Sequence, residues 1–134
     1  MSGPRQERKV LVVDDDSEIV DMTRLILESG GYRVLAANSG EEAIREAGAH
    51  LPDLILLDIN MPGMDGWETL RILKVDDATR AIPVAMFSIK LELRDKVQGL
   101  KQGAFDYITK PFSYDGILDR VRRIFEKIED PGGH

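Results

Sequence analysis

The chain has 134 residues, no cysteine, 43% hydrophobic residues and a formal net charge of −6 at pH 7. That length and apolar content suit one domain with an ordinary core and exclude a chain disordered over most of its length. The acidic balance argues against direct binding of nucleic acid, the lack of thiols excludes disulfides, and no apolar run reaches the roughly 20 residues that span a bilayer.

Residues 1–8 lack an apolar stretch like that of a signal peptide and read as a flexible N-terminus, so the chain is expected in the cytoplasm. Lys9–Val13 reads as a short buried strand that stops abruptly at Asp14, Asp15 and Asp16. Either Asp16 or Ser17 caps the helix that follows. Ser17–Ser29 is apolar on more than one face; Ile19, Met22 and Leu27 are open to two readings, core packing or the docking surface of a partner. Gly30 and Gly31 stop that helix, and residues 32–37 form a second strand. Ser39 with Glu42 three residues on predicts a capping box and a second helix. Leu54–Asp58 is apolar up to its final acid, as expected of a strand covered on both faces.

"INMPGMDG" is a loop by its proline and glycines, and Asp65 with Glu68 caps a third helix carrying Trp67, Leu70 and Leu73. Residues 82–88 form a fourth strand, with Pro83 near its start. Residues 91–102 make a weaker helix interrupted by Gly99, and residues 105–109 a fifth strand. Ser113 caps a last helix whose Ile117, Val121, Ile124, Phe125 and Ile128 form an apolar stripe. Residues 129–134 read as a tail or the start of a linker, leaving one domain over 9–128. Alternation of strand and helix points to an α/β fold with a parallel sheet covered on both faces.

In such a sheet all carboxyl ends of the strands share one edge, where ligands bind. Asp14 and Asp15 follow the first strand, Asp58 ends the third, Ser88 ends the fourth and Lys110 follows the fifth. Each alone has a plain structural reading as a turn acid, a surface lysine or a satisfied hydroxyl. Together they describe a site. Converging carboxylates need positive charge, and a hard divalent cation with oxygen ligands supplies it. A carboxylate can also be the nucleophile that receives a phosphoryl group. Pro111 restricts the backbone of Lys110 and so its aim.

The pieces "VLVVDDD", "LILLDINMPGMDG", "VAMFS" and "GAFDYITKPF", in this order and spacing, resemble the receiver domain of bacterial two-component response regulators, of the chemotaxis-regulator type. The resemblance implies a flavodoxin-like three-layer sandwich, with five parallel strands in the order 2-1-3-4-5 and five helices. It implies that Asp58 accepts a phosphoryl group from a phosphohistidine. Asp15 would bind magnesium directly, Asp14 through water, and Asn60 through its backbone carbonyl, with Asp58 completing the set; manganese could replace magnesium. Ser88 and Lys110 would contact the phosphoryl oxygens, the lysine with a cis bond before Pro111. Tyr107 would be the aromatic switch that turns inward after phosphorylation.

The implied partners are a sensor histidine kinase or histidine phosphotransfer protein upstream, and an effector protein or a missing output domain downstream. No direct contact with nucleic acid, no membrane insertion, and a monomer or weak homodimer are expected. The surface of the fourth helix, fifth strand and fifth helix would carry the output, with Gly99 weakening the fourth helix. The chain would promote its own phosphorylation and dephosphorylation without being an enzyme that turns over a separate substrate.

One departure is Ile89, where the family usually has a small residue. With Lys90 beside it, slow or altered phosphoryl turnover is expected. An aspartate-nucleophile phosphatase would need an acid where Asn60 stands, a calcium loop is broken by Pro62 and Thr69, and a flavin phosphate would be repelled by the three aspartates. The alternative that stays open is a degenerate receiver that acts by protein contact without phosphorylation.

Overall fold

The computed structural model describes residues 7–88, 93–110 and 113–130. Five strands alternate with five helices: β1 Lys9–Val13, α1 Ser17–Ser29, β2 Arg33–Ala37, α2 Gly40–His50, β3 Leu54–Asp58, α3 Gly66–Val75, β4 Val84–Ser88, α4 Leu93–Gln102, β5 Asp106–Thr109 and α5 Tyr114–Glu129. All strand pairs are parallel, in the order β2-β1-β3-β4-β5. The expected flavodoxin-like order is therefore the observed one. The order reverses at β1, which pairs with β2 on one side and β3 on the other, and this opens a crevice at its carboxyl end.

The two-residue period of the strands builds two cores. Val10, Val12, Leu54, Leu56, Ala85, Phe87 and Ile108 pack with α1 and α5. Leu11, Val13, Ile55, Leu57, Val84 and Met86 face the other way, towards α2 and α3. Every residue of β3 and β4 is buried, as their continuous apolar runs require. Of the three α1 residues left open, Leu27 is core and fully buried, Met22 is 49% exposed, and Ile19 is partly buried. Leu27 is therefore no docking residue.

The helix caps follow the sequence, with one difference. Asp16, Ser39, Asp65 and Ser113 each accept an amide hydrogen bond from the first turn of their helix. Glu42, however, returns its carboxylate to the amide of Asn38 at 2.6 Å, one residue before the expected box partner. Three strands start later than expected. Tyr32 stacks on Phe125 instead of extending β2. Ile82 closes a turn on the Thr79 carbonyl before Pro83, which has no amide hydrogen to donate. Phe105 bonds Val84 but lies just outside β5. Ile89, Lys90 and Pro111 lie outside the described residues.

Candidate functional site

Strand periodicity decides which side chains meet at the crevice. Val12, Leu56 and Ile108 belong to the core under α1 and α5. Asp14, Asp58 and Lys110 each stand two positions further along, so the period returns them to that same side at the end of the sheet. Lys110 crosses the width of β4 to reach its partners, with its ammonium 4.8 Å from the centroid of the Phe87 ring. The ammonium donates to Asp14 at 2.5 Å and to Asp58 at 3.4 Å. All three side chains are buried, which makes this a desolvated ion cluster.

The acid loop is held from several sides. The Asp14 amide donates to Ala37 at 3.1 Å, its carbonyl accepts from the Asn38 side-chain amide at 3.2 Å, and its carboxylate accepts the Asp16 amide at 3.0 Å. Asp15 is exposed, yet one oxygen from each of Asp14, Asp15 and Asp58 falls within 4.8 Å of the others. These acids line a hollow of about 410 Å³ together with Asp16, Ile19, Asn60 and Lys110. With one ammonium against three carboxylates, the cluster keeps an excess of negative charge. Hard oxygen donors around such an excess suit a metal ion, and the three acids can hold one.

Burial pushes the Asp58 carboxyl up to about 6, and the neighbouring Asp14 charge adds to this; Lys110 and the Asn60 amide pull the other way. Gly66 brings α3 back against the same residue. A Cβ there would lie 2.3 Å from the Asp58 carbonyl oxygen, and the Gly66 amide donates to Ile59 at 2.8 Å. Only glycine permits that approach.

Ser88 ends β4, fully buried, and its hydroxyl has no hydrogen-bond partner among the described residues. Its carbonyl accepts the Lys110 amide at 2.6 Å, which ties the two to one edge. A buried hydroxyl without a partner is costly unless a ligand completes it. Tyr107 is not drawn into the acid pocket. Its ring leans on the α2–α3 side, and its hydroxyl donates to the Lys96 carbonyl of α4 at 2.5 Å.

Three contributors escape the sequence. Asn38 braces the acid loop across β2. Asp106 accepts the Tyr107 amide at 2.8 Å, while Arg120 donates to both Asp106 (2.7 Å) and the Tyr107 carbonyl (2.6 Å). Nothing in local patterning announces the bonds of Asn38 and Arg120, because their partners lie 13 to 24 residues away in sequence.

Residues 10–122 match the family described as response regulator receiver domain. The chain belongs to that family. It is 39% identical over 121 residues to the phosphate regulon transcriptional regulatory protein PhoB of Klebsiella pneumoniae, covering 90% of this chain and 53% of the relative. It is 43% identical over 122 residues to the alkaline phosphatase synthesis transcriptional regulatory protein PhoP of Bacillus subtilis, covering 91% and 50%. The receiver thus spans about half the length of these curated relatives. Among solved structures it is similar to the chemotaxis protein CheY4 of Vibrio cholerae, with a TM-score of 0.85 and 31% identity over 89% of this chain and 99% of the other. A receiver is a phosphorylation-activated signalling switch, and this one has the chemotaxis-regulator fold. No helix among the described residues is long and apolar enough to cross a membrane.

Proposed function

We propose that Asp58 is the phosphoryl acceptor of this receiver, with Asp14, Asp15, Lys110 and Ser88 arranged around it. The observation that carries this reading is the buried ammonium of Lys110 shared between Asp14 and Asp58. A receiver that acts by surface contact alone has no use for a desolvated ion cluster, whose burial costs several kcal/mol per ion before pairing.

The donor is the phosphohistidine of a sensor histidine kinase or of a histidine phosphotransfer protein. An Asp58 oxygen attacks phosphorus, the nitrogen–phosphorus bond breaks, and its electron pair stays on the imidazole. The new group carries negative charge into the place where Lys110 already waits. Lys110 shifts from the carboxylates towards a phosphoryl oxygen, and the buried Ser88 hydroxyl donates to another. Asp14, Asp15, Asp58 and the Asn60 carbonyl would hold magnesium, or manganese in its place. When bound, the ion neutralises charge on the phosphoryl oxygens. Ile89 and Lys90, next along the chain from Ser88, set how readily the donor and water arrive. Tyr107 answers the change on the α4–β5–α5 surface, which recruits an effector protein or regulates an output domain. The chain works in the cytoplasm as a monomer or weak homodimer, and it has no separate substrate.

The test is intact mass after incubation with acetyl phosphate and magnesium chloride. The wild type is expected to gain one phosphoryl mass, and Asp58→Asn none. Equal labelling of the two proteins would reject Asp58.

A further inference from the structure

Gly99 sits in the interior of α4, where glycine costs stability relative to alanine. Its backbone does not need glycine: it is not among the residues with positive φ. What it lacks is a methyl group, and the space this leaves is used. A Cβ at residue 99 would lie 3.1 Å from Cε1 of Tyr107, 3.4 Å from the Tyr107 hydroxyl and 3.3 Å from Cβ of Ala104. The hydroxyl of that same ring is bonded to the Lys96 carbonyl, three residues earlier on the helix. Tyr107 thus rests on α4 by one hydrogen bond and one bare stretch of backbone.

We infer that Gly99 is the seat that holds the Tyr107 ring on α4, and that this contact sets the balance between the resting ring and one released towards a phosphorylated Asp58. The inference rests on the reading of Asp58 as acceptor and Tyr107 as its responder. Ala104 is buried and fixed between α4 and β5, whereas the ring is half-exposed. A methyl group at residue 99 therefore displaces the ring and not Ala104. Whatever destabilises the resting position tightens the binding of any ligand that favours the released one. Gly99 acts here as a positioning residue: it touches neither the phosphoryl group nor the metal.

The seat can be read without any ligand. Nuclear Overhauser contacts between the Tyr107 ring and the α protons of residue 99 are expected in the wild type and weakened in Gly99→Ala. Coupling is read by titrating beryllium fluoride, a phosphoryl mimic, in magnesium chloride and following emission from Trp67, the single tryptophan. Gly99→Ala is expected to bind about threefold tighter than the wild type. Tyr107→Phe, which deletes the bond to Lys96, shifts affinity in the same direction. In a Tyr107→Ala background the Gly99→Ala substitution changes nothing, which separates the seat from the general gain in helix propensity. Unchanged or weaker binding by Gly99→Ala, or an equal gain in the Tyr107→Ala background, overturns the proposal. If wild type and variant alike fail to bind while the Tyr107 contacts change as expected, the acceptor reading falls, and the coupling with it.

Discussion

Lys110 lies closer to Asp14, at 2.5 Å, than to Asp58, at 3.4 Å. The lysine therefore compensates Asp14 better than it compensates Asp58, the proposed acceptor. Asp58 stays buried beside a like charge, and its carboxyl rises to about 6. It is ionised at neutral pH without being comfortable, which is the state a nucleophile needs.

The raised Asp58 carboxyl makes metal-free stability fall as pH rises. An aspartate in the unfolded chain titrates near 3.9, and in the fold near 6. Between those values the folded state holds more protons than the unfolded one, so stability contributed by this group is lost from about pH 4 to pH 6. Asp58→Asn removes the penalty. In EDTA at pH 7.5 the variant is expected to be more stable than the wild type by about 1–3 kcal/mol, and the gap narrows to about a third of that at pH 4.5. Urea denaturation at the two pH values checks this. A variant less stable than the wild type at pH 7.5 would contradict it.

Removing the lysine leaves its two acids buried and unpaired. Lys110→Met is expected to cost about 3–5 kcal/mol at pH 7.5, the usual effect of breaking a buried ion pair from one side. Part of that loss returns at pH 4.5, where Asp58, raised to about 6, takes up a proton. Adding Asp14→Asn restores part of it at neutral pH as well. Chemical denaturation of the three proteins measures the sequence of effects.

Asp15 separates metal binding from folding. It is exposed and outside the lysine pair, so Asp15→Asn is expected to leave metal-free stability within about 0.5 kcal/mol. Magnesium at a hundred times its dissociation constant would stabilise the wild type by about 2.7 kcal/mol. The variant should lose that response. A thermal melt with magnesium chloride or EDTA reports both quantities; an undiminished magnesium shift in Asp15→Asn would remove this residue from the metal set.

Asp106 behaves in the opposite sense to Asp58. Burial pushes its carboxyl up, but Lys127, the Tyr107 amide and Arg120 outweigh burial and hold it below the ordinary value. A depressed acid contributes stability above its unfolded value near 3.9, and the contribution is lost as pH falls below that. Asp106→Asn is expected to cost about 1–2 kcal/mol at pH 7, with the difference shrinking below about pH 4. It also frees the backbone on either side of Tyr107. Denaturation of the variant across pH 3 to 7 checks the sign.

Local pattern accounts for what was readable in advance. Asp16, Ser39, Asp65 and Ser113 cap helices because a short oxygen-bearing side chain and the first-turn amides are neighbours in the chain. Strands β1 and β3 and helix α1 have the expected bounds because uninterrupted apolar runs end there in acids or glycines. Glu42 missed its expected partner by one residue, because the reach of a flexible carboxylate depends on how β2 enters the turn. Leu27 could not be separated from Met22, because a helix that is apolar on several faces does not say which face meets the sheet.

By itself the sequence determined the alternation of strand and helix, and with it a parallel sheet whose carboxyl edge holds Asp14, Asp15, Asp58, Ser88 and Lys110. Period and capping are interactions between residues a few positions apart, so they survive without coordinates. Only the tertiary structure decided that Lys110 favours Asp14 over Asp58, that Ser88 has no hydroxyl partner among the described residues, and that Tyr107 rests on Gly99 and Lys96. Those outcomes turn on distances of an ångström or less between groups brought together by packing, and residue order carries no measure of such distances.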